Sequence, residues 1–112
     1  MKITQNEING LINIEISGRL DAVSAVEADK EFNKILENDK NKLLIDLKGL
    51  EYISSAGLRV LLVVAKRIQQ KGGKVTLCNL VENVKEVFEI SGFSSIFKIF
   101  QSSEEGMTFL NS

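Results

Sequence analysis

The chain has 112 residues, 44% hydrophobic and 26% charged, so a single domain over 1–112 with one core is expected and general disorder is excluded. Fourteen basic residues against fifteen acidic ones give a formal net charge of −1, which argues against nucleic acid as the main partner. The absence of histidine removes Ser-His-Asp and Cys-His nucleophiles and His-based metal sites, and the single Cys78 can form neither an internal disulfide nor a Cys-x-x-Cys site.

The first element is a hairpin. Ile12, Ile14 and Ile16 alternate with polar residues, the period of a strand with one wet face. Asn9-Gly10 just before them is a turn signal, so Lys2 to Glu7 forms a weaker antiparallel partner strand. Gly18-Arg19-Leu20-Asp21 then leads into a helix. Ser24 followed by Glu27 fits a capping box, and Ala25, Ala28, Phe32, Ile35 and Leu36 share one face. Asn38-Asp39-Lys40-Asn41 ends it.

Leu43 to Leu47 is a short apolar run, as expected of a strand covered on both sides, and a loop over 48–54 follows. A second helix runs from about Ser55 to Lys71. Leu58, Leu61, Leu62, Ala65 and Ile68 form its buried stripe, and Gly72-Gly73 its stop. Lys74 to Cys78 is a strand, and Asn79 to Ser91 a third helix with Val84, Val87, Phe88 and Ile90 facing inward. Residues 96–100 form a last short strand or an apolar loop, and Ser102 or Ser103 caps a final helix. Strand–helix alternation implies parallel strands joined by right-handed crossovers, with the hairpin making the sheet mixed.

Ligand and partner sites in such sheets collect in the loops after the strands. Here those loops carry Asp21 and Ser24, then Tyr52, Ser54 and Ser55, then Asn79. Either Ser54 or Ser55 can cap the second helix, a role worth about 1 kcal/mol. A serine at that position can instead be modified, because free N–H groups and partial positive charge at a helix start tolerate a phosphate. Gly57 in the first turn points to close approach, either by a partner or by the sheet beneath. Asp46, inside an apolar strand, reads as structural, and Cys78 as a small buried group.

The segments Gly18-Arg19-Leu20-Asp21 and 44–59, with Ser54-Ser55-Ala56-Gly57-Leu58 at their heart, resemble the STAS domain of bacterial anti-sigma factor antagonists. Lys71-Gly72-Gly73, Val84 to Phe88, Ser91-Gly92-Phe93 and Ile96-Phe97 extend the resemblance over nearly the whole chain. It implies a STAS fold: a mixed four- to five-stranded sheet with an N-terminal β-hairpin, parallel βαβ units and about four helices. It also implies a non-enzymatic switch. The unphosphorylated form would bind an anti-sigma factor serine kinase and free a sigma factor; phosphorylation at Ser55 would end binding; a PP2C-type phosphatase would reverse it. Aligned on Gly57-Leu58, the family's phosphoacceptor falls on Ser55, with Ser54 in place of its aspartate and Ala56 in place of its second hydroxyl residue. The expected partner-binding residues are Asp21, Ser24, Ser54, Ser55, Gly57 and Arg59. The alternative is a non-phosphorylated STAS interaction module of a transporter or signalling scaffold.

No cofactor or metal is expected, since no Gly-x-Gly-x-x-Gly, Walker loop or acid cluster occurs. No apolar run exceeds the six residues from Val60 to Ala65, and the N-terminus turns polar within a few residues. A cytoplasmic protein is the expectation, and the resemblance implies a monomer when free.

Overall fold

The computed structural model describes residues 1–37 and 39–112, so Asn38, part of the expected helix stop, lies outside the described residues. Strand β1 (Lys2–Ile8) and strand β2 (Leu11–Leu20) pair antiparallel, with Ile8 opposite Leu11. The turn between them holds Asn9 and Gly10 at φ 50° and 82°, the left-handed pair that a tight hairpin of this hand requires. Helix α1 (Ser24–Leu36), strand β3 (Lys42–Asp46), strand β4 (Leu50–Ile53) and helix α2 (Ser55–Gln70) follow. The chain continues through strand β5 (Lys74–Cys78), helix α3 (Glu82–Ser91), strand β6 (Lys98–Phe100) and helix α4 (Ser103–Leu110).

The sheet order is β1-β2-β3-β5-β6, with β4 attached to β2 off this path. Every pairing but the hairpin is parallel. The expected mixed sheet with an N-terminal hairpin and parallel βαβ units is present, with six strands and four α-helices among the described residues. The additional strand is β4, which the sequence reading leaves as a loop. Its burial runs buried, exposed, exposed, buried, so it has no period-2 signature; its pairing with β2 holds it.

The main core lies on one face of the sheet. Ile12, Ile14, Ile16, Leu43 and Ile45 meet Ala28 and Phe32 of α1 and Leu61, Ala65 and Ile68 of α2. Phe88 of α3 closes it in edge-to-face contact with Phe97, with ring centroids 5.8 Å apart. On the opposite face α4 covers Leu11, Leu44 and Cys78 with Leu110. Ser102 caps that helix, accepting from the Glu105 N–H at 3.2 Å.

Three local expectations are corrected. Leu61 is fully buried but Leu62 only half-buried, because neighbouring residues on a helix point about 100° apart and the sheet lies under Leu61. Helix α3 starts at Glu82, not Asn79: Asn79 sits at φ 60° and Val81 is extended, so neither is helical. Ile90 is 86% exposed, one position off the stripe formed by Val84 and Phe88.

Candidate functional site

Strand β2 has two partners along its length. From Ile12 to Glu15 it pairs with β3; from Gly18 to Leu20 it pairs with β4. The change occurs at a bulge between Gly18 and Arg19, where Gly18 adopts φ 90° and its N–H donates to the Gly49 carbonyl. Glu15 is level with Asp46 of β3, which is level with Cys78 of β5 and, through it, Phe100 of β6. Leu20 therefore lies five residues, roughly 16 Å of strand, beyond the ends of the other parallel strands. The β2–β4 pair forms a ledge that projects past the sheet. Asp21 and Ser24 leave it from β2; Ser54 and Ser55 leave it from β4.

The two loops are joined through backbone. Leu20 is opposite Ile53, and the Ser54 N–H donates to the Leu20 carbonyl at 2.9 Å. Asp21 and Ser55 are thus held at the same end of the sheet. Asn79, the third loop residue, stays behind at the level of Asp46: its side-chain amide donates to Asp46 Oδ1 at 3.2 Å and to Ser103 Oγ at 3.3 Å. Asp46 also accepts from the Lys48 N–H at 3.0 Å, with Lys48 Nζ 3.7 Å from Oδ2, so its buried carboxylate is satisfied as a structural group.

Ser54, not Ser55, caps α2. Its hydroxyl accepts from the Gly57 N–H at 3.2 Å, and its extended backbone (ψ 173°) suits the cap. Ser55 is thereby the first helical residue, exposed, its hydroxyl without a hydrogen-bond partner among the described residues. The capping box of Ser24 and Glu27 is also corrected. Asp21 does the capping: its Oδ1 accepts from the N–H groups of Val23 at 3.1 Å and Ser24 at 3.0 Å, and its carbonyl accepts from Ala25. The Ser24 hydroxyl turns back to accept from the Asp21 N–H at 2.9 Å and donates to the Arg19 carbonyl at 2.8 Å. The Ser24 backbone and hydroxyl, helped by the Val23 N–H and Arg19, hold the Asp21 carboxyl below its ordinary value.

Gly57 is buried against β2 and β4. A Cβ there would lie 2.8 Å from Leu20 Cγ, 2.9 Å from Ile53 Cγ1 and 2.9 Å from the Leu20 carbonyl oxygen. The close approach expected at this glycine is that of α2 onto the ledge. Arg59, one turn further along α2, is exposed, with no hydrogen bond or ion pair among the described residues.

The sequence reading passes over an apolar rim at this end. Val23 is 84% and Val26 60% exposed, and the half-exposed Tyr52 ring lies under the Arg19 guanidinium, 4.3 Å from its centroid. One signal is available in the sequence: Val23 and Val26 fall outside the Ala25–Ala28–Phe32 stripe of an otherwise regular amphipathic helix.

This end of the molecule presents the Ser55 hydroxyl to solvent. Among the described residues no group of three or more acids and cysteines is placed to hold a metal ion. No helix among them is long and apolar enough to cross a membrane.

The pattern of the STAS domain family matches residues 2–106. The chain is 41% identical to BtrV of Bordetella bronchiseptica, a protein named for anti-sigma factor antagonism, over 93% of this chain and 90% of that one. It is 32% identical to the anti-sigma-B factor antagonist of Bacillus subtilis, over 94% of each. The structure of an anti-sigma-factor antagonist (STAS) domain protein from Planctomyces limnophilus superposes with a TM-score of 0.90 at 21% identity, covering 98% of both chains.

Proposed function

The chain belongs to the STAS domain family, and on that premise we propose that it is an anti-sigma factor antagonist: a binding protein, not an enzyme, controlled by phosphorylation of Ser55. The unphosphorylated form binds an anti-sigma factor that is also a serine kinase and so frees a sigma factor. The kinase transfers the terminal phosphoryl group of a nucleoside triphosphate to Ser55 Oγ; the O–P bond forms, the diphosphate leaves and the hydroxyl proton passes to a base of the kinase. A PP2C-type phosphatase hydrolyses the phosphoserine to serine and inorganic phosphate. The cell interior is where such partners act.

The observation that carries this reading is the state of Ser55. It is exposed and without a hydrogen-bond partner, at the first position of a helix that a different serine already caps. Its hydroxyl is free for a partner, and its loss or modification leaves the cap intact. Val23, Val26 and Tyr52 supply the apolar contact area, with Asp21, Ser24, Ser54 and Arg59 around it. Phosphate adds about −1.5 to −2 charges at neutral pH. The helix start tolerates that charge within the fold, whereas a partner surface shaped for a hydroxyl does not. A buried, unpaired dianion costs several kcal/mol, and each 1.4 kcal/mol is tenfold in affinity.

The test is titration of Ser55→Ala and Ser55→Asp against the cognate kinase, with circular dichroism to confirm both folds. Ser55→Ala is expected to bind and Ser55→Asp to bind at least tenfold more weakly. Equal affinities would overturn the switch and favour a static interaction module.

A further inference from the structure

The chain has three arginines, and two of them are engaged. Arg19 lies over the Tyr52 ring, and Arg67 donates to the Asn33 side chain. Arg59 alone has no partner among the described residues, although it is exposed on a well-formed helix. It stands four residues after Ser55, both within α2.

We propose that Arg59 is the internal counter-charge of the phosphorylated state: its guanidinium pairs with a phosphate on Ser55 within the same molecule. The inference rests on Ser55 as the phosphoacceptor and extends that reading to what the phosphate does once attached. Residues four apart on a helix share a face, and long side chains lean toward the N-terminus, so an arginine at the later position reaches back over the earlier one. The guanidinium fork matches phosphate oxygens in a bidentate contact.

The surroundings leave this role to Arg59. Charged groups on the elements around the β4–α2 junction are Arg19 and Asp21 at the end of β2, Glu51 of β4, Glu27 in the first turn of α1, which packs on α2, Glu82 in the first turn of α3, which packs on β4, and Arg59. Four of these six are acids and repel a phosphate. The other cation, Arg19, is held over an aromatic face one strand away. Pairing with the phosphate also withdraws from the partner a cation that stands free in the unmodified protein. Release then has two causes: charge placed where none was tolerated, and a contact turned inward.

The experiment uses the full chain with phosphoserine inserted at position 55 during translation, so it does not depend on any kinase. The second ionisation of the phosphate is followed by phosphorus NMR in the parent and in the Arg59→Gln, Arg59→Lys and Arg19→Gln backgrounds. A nearby cation favours the dianion and lowers the midpoint. The parent is expected to titrate about 0.3–0.5 pH units below Arg59→Gln, given the size of helical charge pairs and their strengthening by a dianion. Arg59→Lys should recover part of the difference, Arg19→Gln should leave it in place, and 0.5 M salt should shrink it. Parent and Arg59→Gln titrating together, or Arg19→Gln removing the shift, would overturn the proposal. Failure of the cognate kinase to modify Ser55, read by mass spectrometry on the unmodified chain, would instead overturn the switch and leave this titration standing.

Discussion

Gly57 illustrates how one residue fixes the site. Its neighbours on β2 and β4 occupy the space of a side chain, one of them a backbone carbonyl that cannot swing aside. Gly57→Ala gains up to about 1 kcal/mol of helix propensity but forces α2 off the ledge; a net loss of about 1–3 kcal/mol in urea melts is expected. At Asp21 the prediction concerns pH. Its carboxyl is held below the ordinary value of 3.8 by hydrogen bonds from Ser24, so its stabilising effect is complete above that value. The effect is lost as pH falls through the lower folded-state value. The parent should therefore be more stable than Asp21→Asn at pH 7, and the two should converge in melts taken toward pH 2. Cys78 is buried beneath α4, and burial pushes its thiol up to about 11. Iodoacetamide at pH 8 should leave it unmodified in the native protein and alkylate it within minutes in denaturant. The start of α2 at Ser55 was legible in the sequence because the apolar stripe of that helix is regular. The apolar rim was not, because Val23, Val26 and Tyr52 acquire meaning only once packing shows that nothing covers them.

At the scale of elements, periodicity located what the core holds and missed what pairing alone holds. Helix α2 was readable from its stripe, but the stripe's edge was not: Leu61 and Leu62 are equally apolar, and only the position of the sheet separates them. Leu61→Ala is expected to cost about 2–5 kcal/mol. Leu62→Ala should cost less than half as much, which equilibrium unfolding of the two variants will check. Strand β4 escaped because its four residues show no alternation; β2 supplies its hydrogen bonds, and the Gly18 bulge turns β2 toward it. The start of α3 was misplaced for the converse reason, since Asn79 and Val81 belong to a turn whose conformation composition does not reveal. The cap of α1 lies at Asp21, three residues before the expected Ser24, and of the two adjacent serines open as the cap of α2 it is Ser54 whose side chain turns inward.

For the whole molecule, strand direction was the part of the sequence reading with the most consequence. Alternating strands and helices imply parallel strands, parallel strands share an end, and that end carries Asp21 and Ser55. The sequence did not reveal that this end is stepped. The ledge of β2 and β4 stands beyond the rest of the sheet, so the three loops grouped by sequence divide into two that meet and one, at Asn79, that stays with the core.

That step divides the molecule by how its parts open. The main sheet is hydrogen-bonded over five strands and covered by helices on both faces, so its amides in β3 and β5 exchange with solvent only when the whole domain unfolds. Among the described residues strand β4 has only β2 as a sheet partner, beyond a bulge, so fewer ladder hydrogen bonds hold its amides than hold those of β3 and β5. Deuterium should therefore enter the amides of 50–53 by a local route, well before those of 43–46 and 75–78. Under the proposed switch, a kinase acting on Ser55 would meet the less securely laddered end of the molecule rather than the five-stranded body.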